Sequence, residues 1–312
     1  MPNNPQLTNT ILMVRPVDFV FNEQTAQDNE FQRQLTSGNA TQLALQEFDS
    51  AVNQLQKEGV QVLVVEKDGD LPALPDAVFP NNWFGTDSEG AVHVFPMKTP
   101  NRKAETGQLD QALGLIEEQG LEVKEVMDWE TILGKGAVLE GTGSLILDRV
   151  NQKVYAAISE RTQKEATLKF AEKIGYKAIL FHTKSTNGSP YYHTNVVMSI
   201  GEKMALVCLE CIPDSGERAQ VKSELSSTHS VVEISIDQLE KGFCGNLLQV
   251  LDGEGKAITV LSSTAFDGLT LSQRSELESF GRLIPIAIPT IEYVGGGSIR
   301  CMMAEIFCPS AN

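Results

Sequence analysis

A cysteine, a histidine and a glutamate can together make a metal-free nucleophilic site, and this chain carries Glu140, His193 and Cys301 in that order. A thiol attacks only once a neighbouring base or cation has drawn off its proton. An imidazole can do that, and a carboxylate accepting from its other nitrogen fixes the ring and the tautomer. Cys301 is reached through Gly295-Gly296-Gly297-Ser298-Ile299-Arg300, and glycines allow close backbone approach to a bound group. Taken singly, each residue has an ordinary explanation. A lone histidine is more often structural, and Cys301 is one of five cysteines.

Position along a repeat sets the three apart. Apolar residues at helical spacing between Thr41 and Lys57 are followed by Gly59, where a helix cap belongs, and by the β-rich run Val60–Val65. The unit returns as Gln108–Gln119, Gly120 and Leu121–Val126, and again as Gln163–Ile174, Gly175 and Tyr176–His182. There Thr162 and Glu165 have the spacing of a capping box. A fourth copy has a helix near Gly216–Ser227 and a strand at Val231–Ile236. The fifth has Leu271–Phe280, Gly281 and Leu283–Ile288. Five units of similar length predict an α/β fold closed radially as a single domain over residues 1–312, since closure protects sheet edges.

Each unit ends in a segment of polar or reactive residues. These are Pro80-Asn81-Asn82-Trp83-Phe84, Glu140-Gly141-Thr142-Gly143, His193-Thr194-Asn195, Cys244-Gly245-Asn246, and the glycine run to Cys301. Equivalent positions in a radial array face the axis, so the five should meet in one central site.

With these residues in place, the chain resembles the guanidino-group-modifying superfamily of amidinotransferases, arginine deiminases and dimethylarginine hydrolases. The resemblance runs from Met13-Val14-Arg15-Pro16 to Cys301-Met302-Met303 and is closest to the citrulline-utilisation hydrolase type. Its most specific pieces are Glu-Gly at Glu140, His-x-Asn at His193 and the glycine-rich approach to Cys301. It implies a five-bladed pseudo-fivefold α/β propeller (the pentein fold), with Cys301 as nucleophile, His193 as general acid/base and Glu140 as its partner. It requires no metal and no cofactor. The reaction it implies is hydrolysis of a linear amidine or ureido group, citrulline- or arginine-like, through a covalent Cys301 thio-adduct.

The substrate side departs from the deiminases of that family, which hold a cationic guanidinium with two aspartates. The matching residues here are Asn82 and Asn195. A unit charge pair at about 4 Å contributes about 4 kcal/mol at an effective dielectric near 20. Losing two such pairs favours a neutral ureido group, whose carbonyl and NH2 suit an amide. Arginine carried through two hydrolyses to ornithine fits the same site. Arg102 and Arg161 match places where relatives bind the substrate carboxylate, a task suited to a bidentate fork.

The formal charge of −16 argues against nucleic acid and anionic membranes as partners. No stretch approaches 18 apolar residues, and Met1–Thr10 lacks the basic and apolar parts of a leader. An odd, scattered set of cysteines suits a reducing, cytoplasmic setting. Cys208-Leu209-Glu210-Cys211 lacks the second half of a zinc site, and Gly134-Lys135-Gly136 neither follows a strand nor opens a helix. Cys244 fits cavity lining and core packing equally. The alternatives are an amidinotransferase acting on an amine acceptor, an arginine deiminase and, less favoured, a non-catalytic five-bladed binding protein. Oligomeric state is left open, a homo-oligomer included.

Overall fold

The computed structural model describes residues 4–311, so part of the leader reading over Met1–Thr10 lies outside the described residues. Among the described residues fifteen strands follow one another: β1 Thr10–Val14, β2 Gln61–Val65, β3 Phe84–Thr86, β4 Ala91–Val94, β5 Glu125–Asp128, β6 Ile146–Asp148, β7 Lys153–Ala157 and β8 Lys177–Phe181. They continue as β9 Met198–Ile200, β10 Met204–Val207, β11 Ser230–Glu233, β12 Leu248–Leu251, β13 Ala257–Ser262, β14 Arg282–Ile286 and β15 Ala304–Glu305. They form five three-stranded sheets, β15-β1-β2, β3-β4-β5, β6-β7-β8, β9-β10-β11 and β12-β13-β14.

Every sheet follows one plan. Its middle strand pairs antiparallel with the short first strand and parallel with the third. A parallel pair needs a crossover, and an amphipathic helix supplies it each time. These helices are Ala40–Lys57, Leu109–Glu118, Lys164–Lys173, Ser215–Ser226 and Leu271–Glu278. The first buries Ala44, Phe48, Ala51 and Leu55 on one face. Full burial of side chains such as Phe48 and Leu55 contributes roughly 1.5–3 kcal/mol each.

Middle strands β1 and β10 are buried throughout, whereas β2, β8 and β14 share one half-exposed pattern, with only their third and fifth residues buried. The short first strands stand at the axis, where β15 meets β3, β6 meets β9 and β9 meets β12. The ring closes end to end, because β15 pairs with β1 through Ile11↔Glu305 and Leu12↔Ala304. The architecture is the predicted α/β pseudo-fivefold propeller.

Helix boundaries fall within two residues of those read from periodicity. Gly59, Gly120 and Gly175 end three of the helices at positive φ, the left-handed region glycine enters freely. Two local expectations fail. Thr162 makes no capping box, since its backbone bridges Leu139 and Ser159 and Gln163 takes the cap position without a side-chain bond. The second is the strand expected at Leu121–Val126, which pairs with β4 only from Glu125. Its first half serves the chain end instead, with Leu121 bridging Ser310 and the Glu122 amide donating to Pro309.

Candidate active site

Five links lead into the five axial strands, and the candidate residues lie on them. Asn82 ends the one-turn helix Pro80–Asn82 before β3, and Glu140 opens Gly141–Ser144 before β6. His193 opens Thr194–Val197 before β9, Asn246 lies two residues before β12, and Cys301 sits in the turn Ile299–Met302 before β15. Glu140, His193 and Cys301 are all buried, at 1 %, 2 % and 3 % exposure. Close packing of these links explains one glycine: Gly141 has φ +45°, and a Cβ there would stand 2.3 Å from the Asn81 carbonyl oxygen.

His193 Nε2 lies 2.8 Å from Glu140 Oε2. The Lys98 backbone amide donates to Glu140 Oε1 at 2.9 Å, and Arg161 Nη1 approaches Oε2 at 3.6 Å. Burial pushes the Glu140 carboxyl up, but the Arg161 charge and the His193 hydrogen bond outweigh it and hold it well below the usual carboxylate range. An ionised carboxylate only accepts, so Nε2 carries the proton of a neutral imidazole and Nδ1 keeps its lone pair. Burial lowers the His193 pKa, with partial compensation from Glu140, so the ring rests neutral.

Cys301 Sγ receives two amide donors, Asn195 Nδ2 and Asn246 Nδ2, each at 3.3 Å. Asn246 also donates to the Asn195 carbonyl, and its Oδ1 accepts the Arg300 amide. The Asn195 side-chain oxygen is buried beside the sulfur and has no partner among the described residues. Asn82 is placed differently: its Nδ2 donates to Asn81 Oδ1 and its Oδ1 accepts from Arg102 Nη1.

The two arginines have protein partners already. Arg102 forks onto Glu105 at 2.8 and 2.9 Å and also donates to the Phe79 carbonyl. Arg161 donates to both Asp28 oxygens and to the Thr25 carbonyl, and its guanidinium lies over the Tyr192 ring at 5.0 Å. Asp28 thus occupies the fork expected to face a substrate carboxylate. Its segment also supplies Asn29 and Gln32, whose amides donate to the Gly295 carbonyl, and Tyr192 Oη donates to that of Gly296. The glycine run therefore packs against protein: a Cβ on Gly295 would meet the Phe79 ring at 2.8 Å.

Three contributors carry no role that the sequence assigned. Asn246 was placed in a converging segment without a role. Asp76 accepts Asn22 and Thr25 on Oδ2 while its buried Oδ1 has no partner among the described residues. Glu292 accepts the hydroxyls of Thr264 and Ser298, and the Ser298 carbonyl takes the Cys301 amide. Asn246 could be found from its repeat position; the other two lie outside the repeated links. Cys244 belongs to the core, with Sγ against Gly242, Gly268 and the Ala265 carbonyl.

The sequence model of the family described as N,N dimethylarginine dimethylhydrolase, eukaryotic, matches residues 15–308. No curated protein matches at a significant level. Among solved structures, the N-terminal domain of ArgZ is similar over 97% of this chain and 99% of its own, with TM-score 0.70 and 17% identity. ArgZ is an arginine dihydrolase from the ornithine-ammonia cycle in cyanobacteria, and that structure is a cysteine-to-serine mutant bound to substrate. Apo ArgZ gives TM-score 0.73 at 16% identity, with 96% of this chain covering 41% of that one. The chain thus spans about two fifths of ArgZ. A cysteine mutant of dimethylarginine dimethylhydrolase from Pseudomonas aeruginosa, complexed with citrulline, gives TM-score 0.60 at 14% identity over 96% of this chain and all of its own. A family match running from Arg15 to Cys308 on a five-sheet ring establishes that this chain belongs to the dimethylarginine dimethylhydrolase family of guanidino-modifying C–N hydrolases.

Proposed function

We propose that the chain hydrolyses a C–N bond of a ureido or guanidino compound through a covalent adduct on Cys301, with citrulline-like substrates, or arginine taken through two hydrolyses, as the preferred class. The observation that carries this is the amide pair on Cys301 Sγ, with the unpartnered Asn195 oxygen beside it. A substrate NH2 donates to that oxygen while the sulfur faces the planar carbon. No carboxylate contacts the sulfur among the described residues, so a neutral group incurs no penalty for lacking a counter-ion.

His193 Nδ1 takes the Cys301 proton, and the thiolate adds to the substrate carbon. The protonated imidazole returns that proton to the departing nitrogen, the C–N bond breaks, and the carbon stays on sulfur. Water then gives a proton to His193 Nδ1 and adds to the carbon, the C–S bond breaks with the electron pair returning to sulfur, and with a ureido substrate the carbamate released loses CO2. Glu140 holds the ring for both halves. Arg161 takes the substrate carboxylate once Asp28 gives way, and Arg102 fixes Asn82. Five unpaired cysteines suit a reducing cytoplasm.

Purified protein is offered arginine, citrulline, agmatine and dimethylarginine, with and without glycine, and the products are identified. Ornithine and ammonia from citrulline, lost in Cys301→Ala, is the expected result. Release of dimethylamine from dimethylarginine with no action on citrulline or arginine would overturn the substrate class. Transfer of an amidino group to glycine would overturn hydrolysis.

A further inference from the structure

Away from the catalytic centre, a cavity of about 350 Å³ lies between the sheets β3-β4-β5 and β6-β7-β8. One side is apolar, built by Phe95, Met127, Leu147, Phe170 and Ile174, and the other presents Arg149, Tyr176 and Asn4. Arg149 is the anomaly. It is 5 % exposed, yet among the described residues no carboxylate or carbonyl accepts from its guanidinium, which lies over the Phe307 ring at 4.1 Å. Its nitrogens open on the cavity in place of a protein acceptor. Arg102, Arg161 and Arg300, equally buried, each have a carboxylate.

The cavity's own inner acid cannot serve. Asp87 is taken by His93 Nε2 at 3.1 Å and by the amides of Glu89 and Ala91. His93 is itself spoken for, since its Nδ1 accepts Trp129 Nε1 at 3.0 Å. Glu89 and Glu125 stand exposed at the mouth.

We propose that this cavity is a second binding site, for a small monocarboxylate with an apolar or aromatic body: the carboxylate pairs with the Arg149 fork and the body lies between Phe95, Phe170 and Leu147. The volume is in the range of small-ligand sites, and an apolar wall with a few convergent polar groups is their usual make-up. Thr142 is common to this wall and to the catalytic links. Its Oγ accepts from Asn81 Nδ2 at 3.2 Å, and Asn81 in turn holds Asn82. An occupant would thus lie two side chains, Thr142 and Asn81, from Asn82.

Sodium phenylacetate, with phenylacetamide as its neutral isostere, probes the site by titration calorimetry on the full chain. Saturable binding of the acid, weakened at least tenfold both in the amide and in Arg149→Met, is expected. No saturable heat at millimolar acid, equal affinity for acid and amide, or binding that survives Arg149→Met would each overturn the proposal. If Arg149→Met does not fold, the acid-against-amide comparison on unaltered protein decides alone.

Discussion

Asn246 donates its side-chain amide to Cys301 Sγ at 3.3 Å while its own oxygen holds the Arg300 amide at 3.1 Å. One side chain thus supports the Cys301 sulfur and the backbone just before it. Loss of one hydrogen bond of about 1–1.5 kcal/mol corresponds to roughly a five- to tenfold effect. Asn246→Ala should slow iodoacetamide alkylation of Cys301 by about that factor near neutral pH and lower kcat more than it raises KM. Asn246→Asp should move the alkylation profile to higher pH, because a carboxylate beside sulfur opposes the thiolate. Unchanged profiles in both variants would remove Asn246 from the chemistry.

The neutral amide at Asn195 sets the second prediction. Asn195→Asp places a negative charge where the unpartnered oxygen now stands. The thiolate is disfavoured for every substrate, so absolute rates fall; the ratio is the informative quantity. The kcat/KM ratio of arginine to citrulline should rise about tenfold or more, since even part of a charge pair of about 4 kcal/mol exceeds 1.4 kcal/mol. A constant ratio would mean that Asn195 does not select on substrate charge.

Arg161 is covered by Asp28, which is itself bonded to Lys98. Asp28→Ala should open the Arg161 fork to a carboxylate-bearing substrate and lower KM for citrulline about fivefold, equivalent to about 1 kcal/mol. Agmatine, which lacks the carboxylate, should show no such change. Equal shifts for both compounds would assign Asp28 a general structural role.

Acid stability follows from the depressed pKa of Glu140. With the folded value below the unfolded one, the unfolded chain binds more protons in acid, so stability rises with pH. The contribution is fully present above the unfolded value of about 4.3 and is lost as pH falls towards the folded value. His193, also depressed, adds a loss that begins near its unfolded value of about 6.5. Urea midpoints of Glu140→Gln between pH 7 and pH 3 should therefore fall less steeply than those of the unaltered protein.

The Arg102–Glu105 pair is fully buried, at 2 % and 0 % exposure. Arg102→Met leaves Glu105 unpaired and should cost about 3–5 kcal/mol. A second change, Glu105→Leu, should restore much of this in urea unfolding. Activity should stay low in the double variant, because Asn82 has still lost the Arg102 donor.

The amino-acid sequence by itself determined the repeat. Helical periodicity, a glycine after four of the five helices and a β-rich run after each one located the five crossover helices and the third strand of each sheet, because amphipathic burial and positive φ leave local marks. It also marked Glu140, His193 and Cys301 by their common place in the repeat. What periodicity cannot register is which partners meet across the ring. The strand expected from Leu121 is split because its first residues pair with Ser310 and Pro309, nearly 190 positions away. Thr162 spaces like a cap, yet its backbone is held by Leu139 and Ser159. Arg102 and Arg161 were read as substrate forks, and tertiary packing places Glu105 and Asp28 on them. The role of Asn246 and the anchoring of the cysteine turn through Ser298 and Glu292 belong to the same class. Local periodicity reports which face of an element is buried. Only closure of the five sheets decides which polar groups share the buried centre, because those contacts join links that are far apart along the chain.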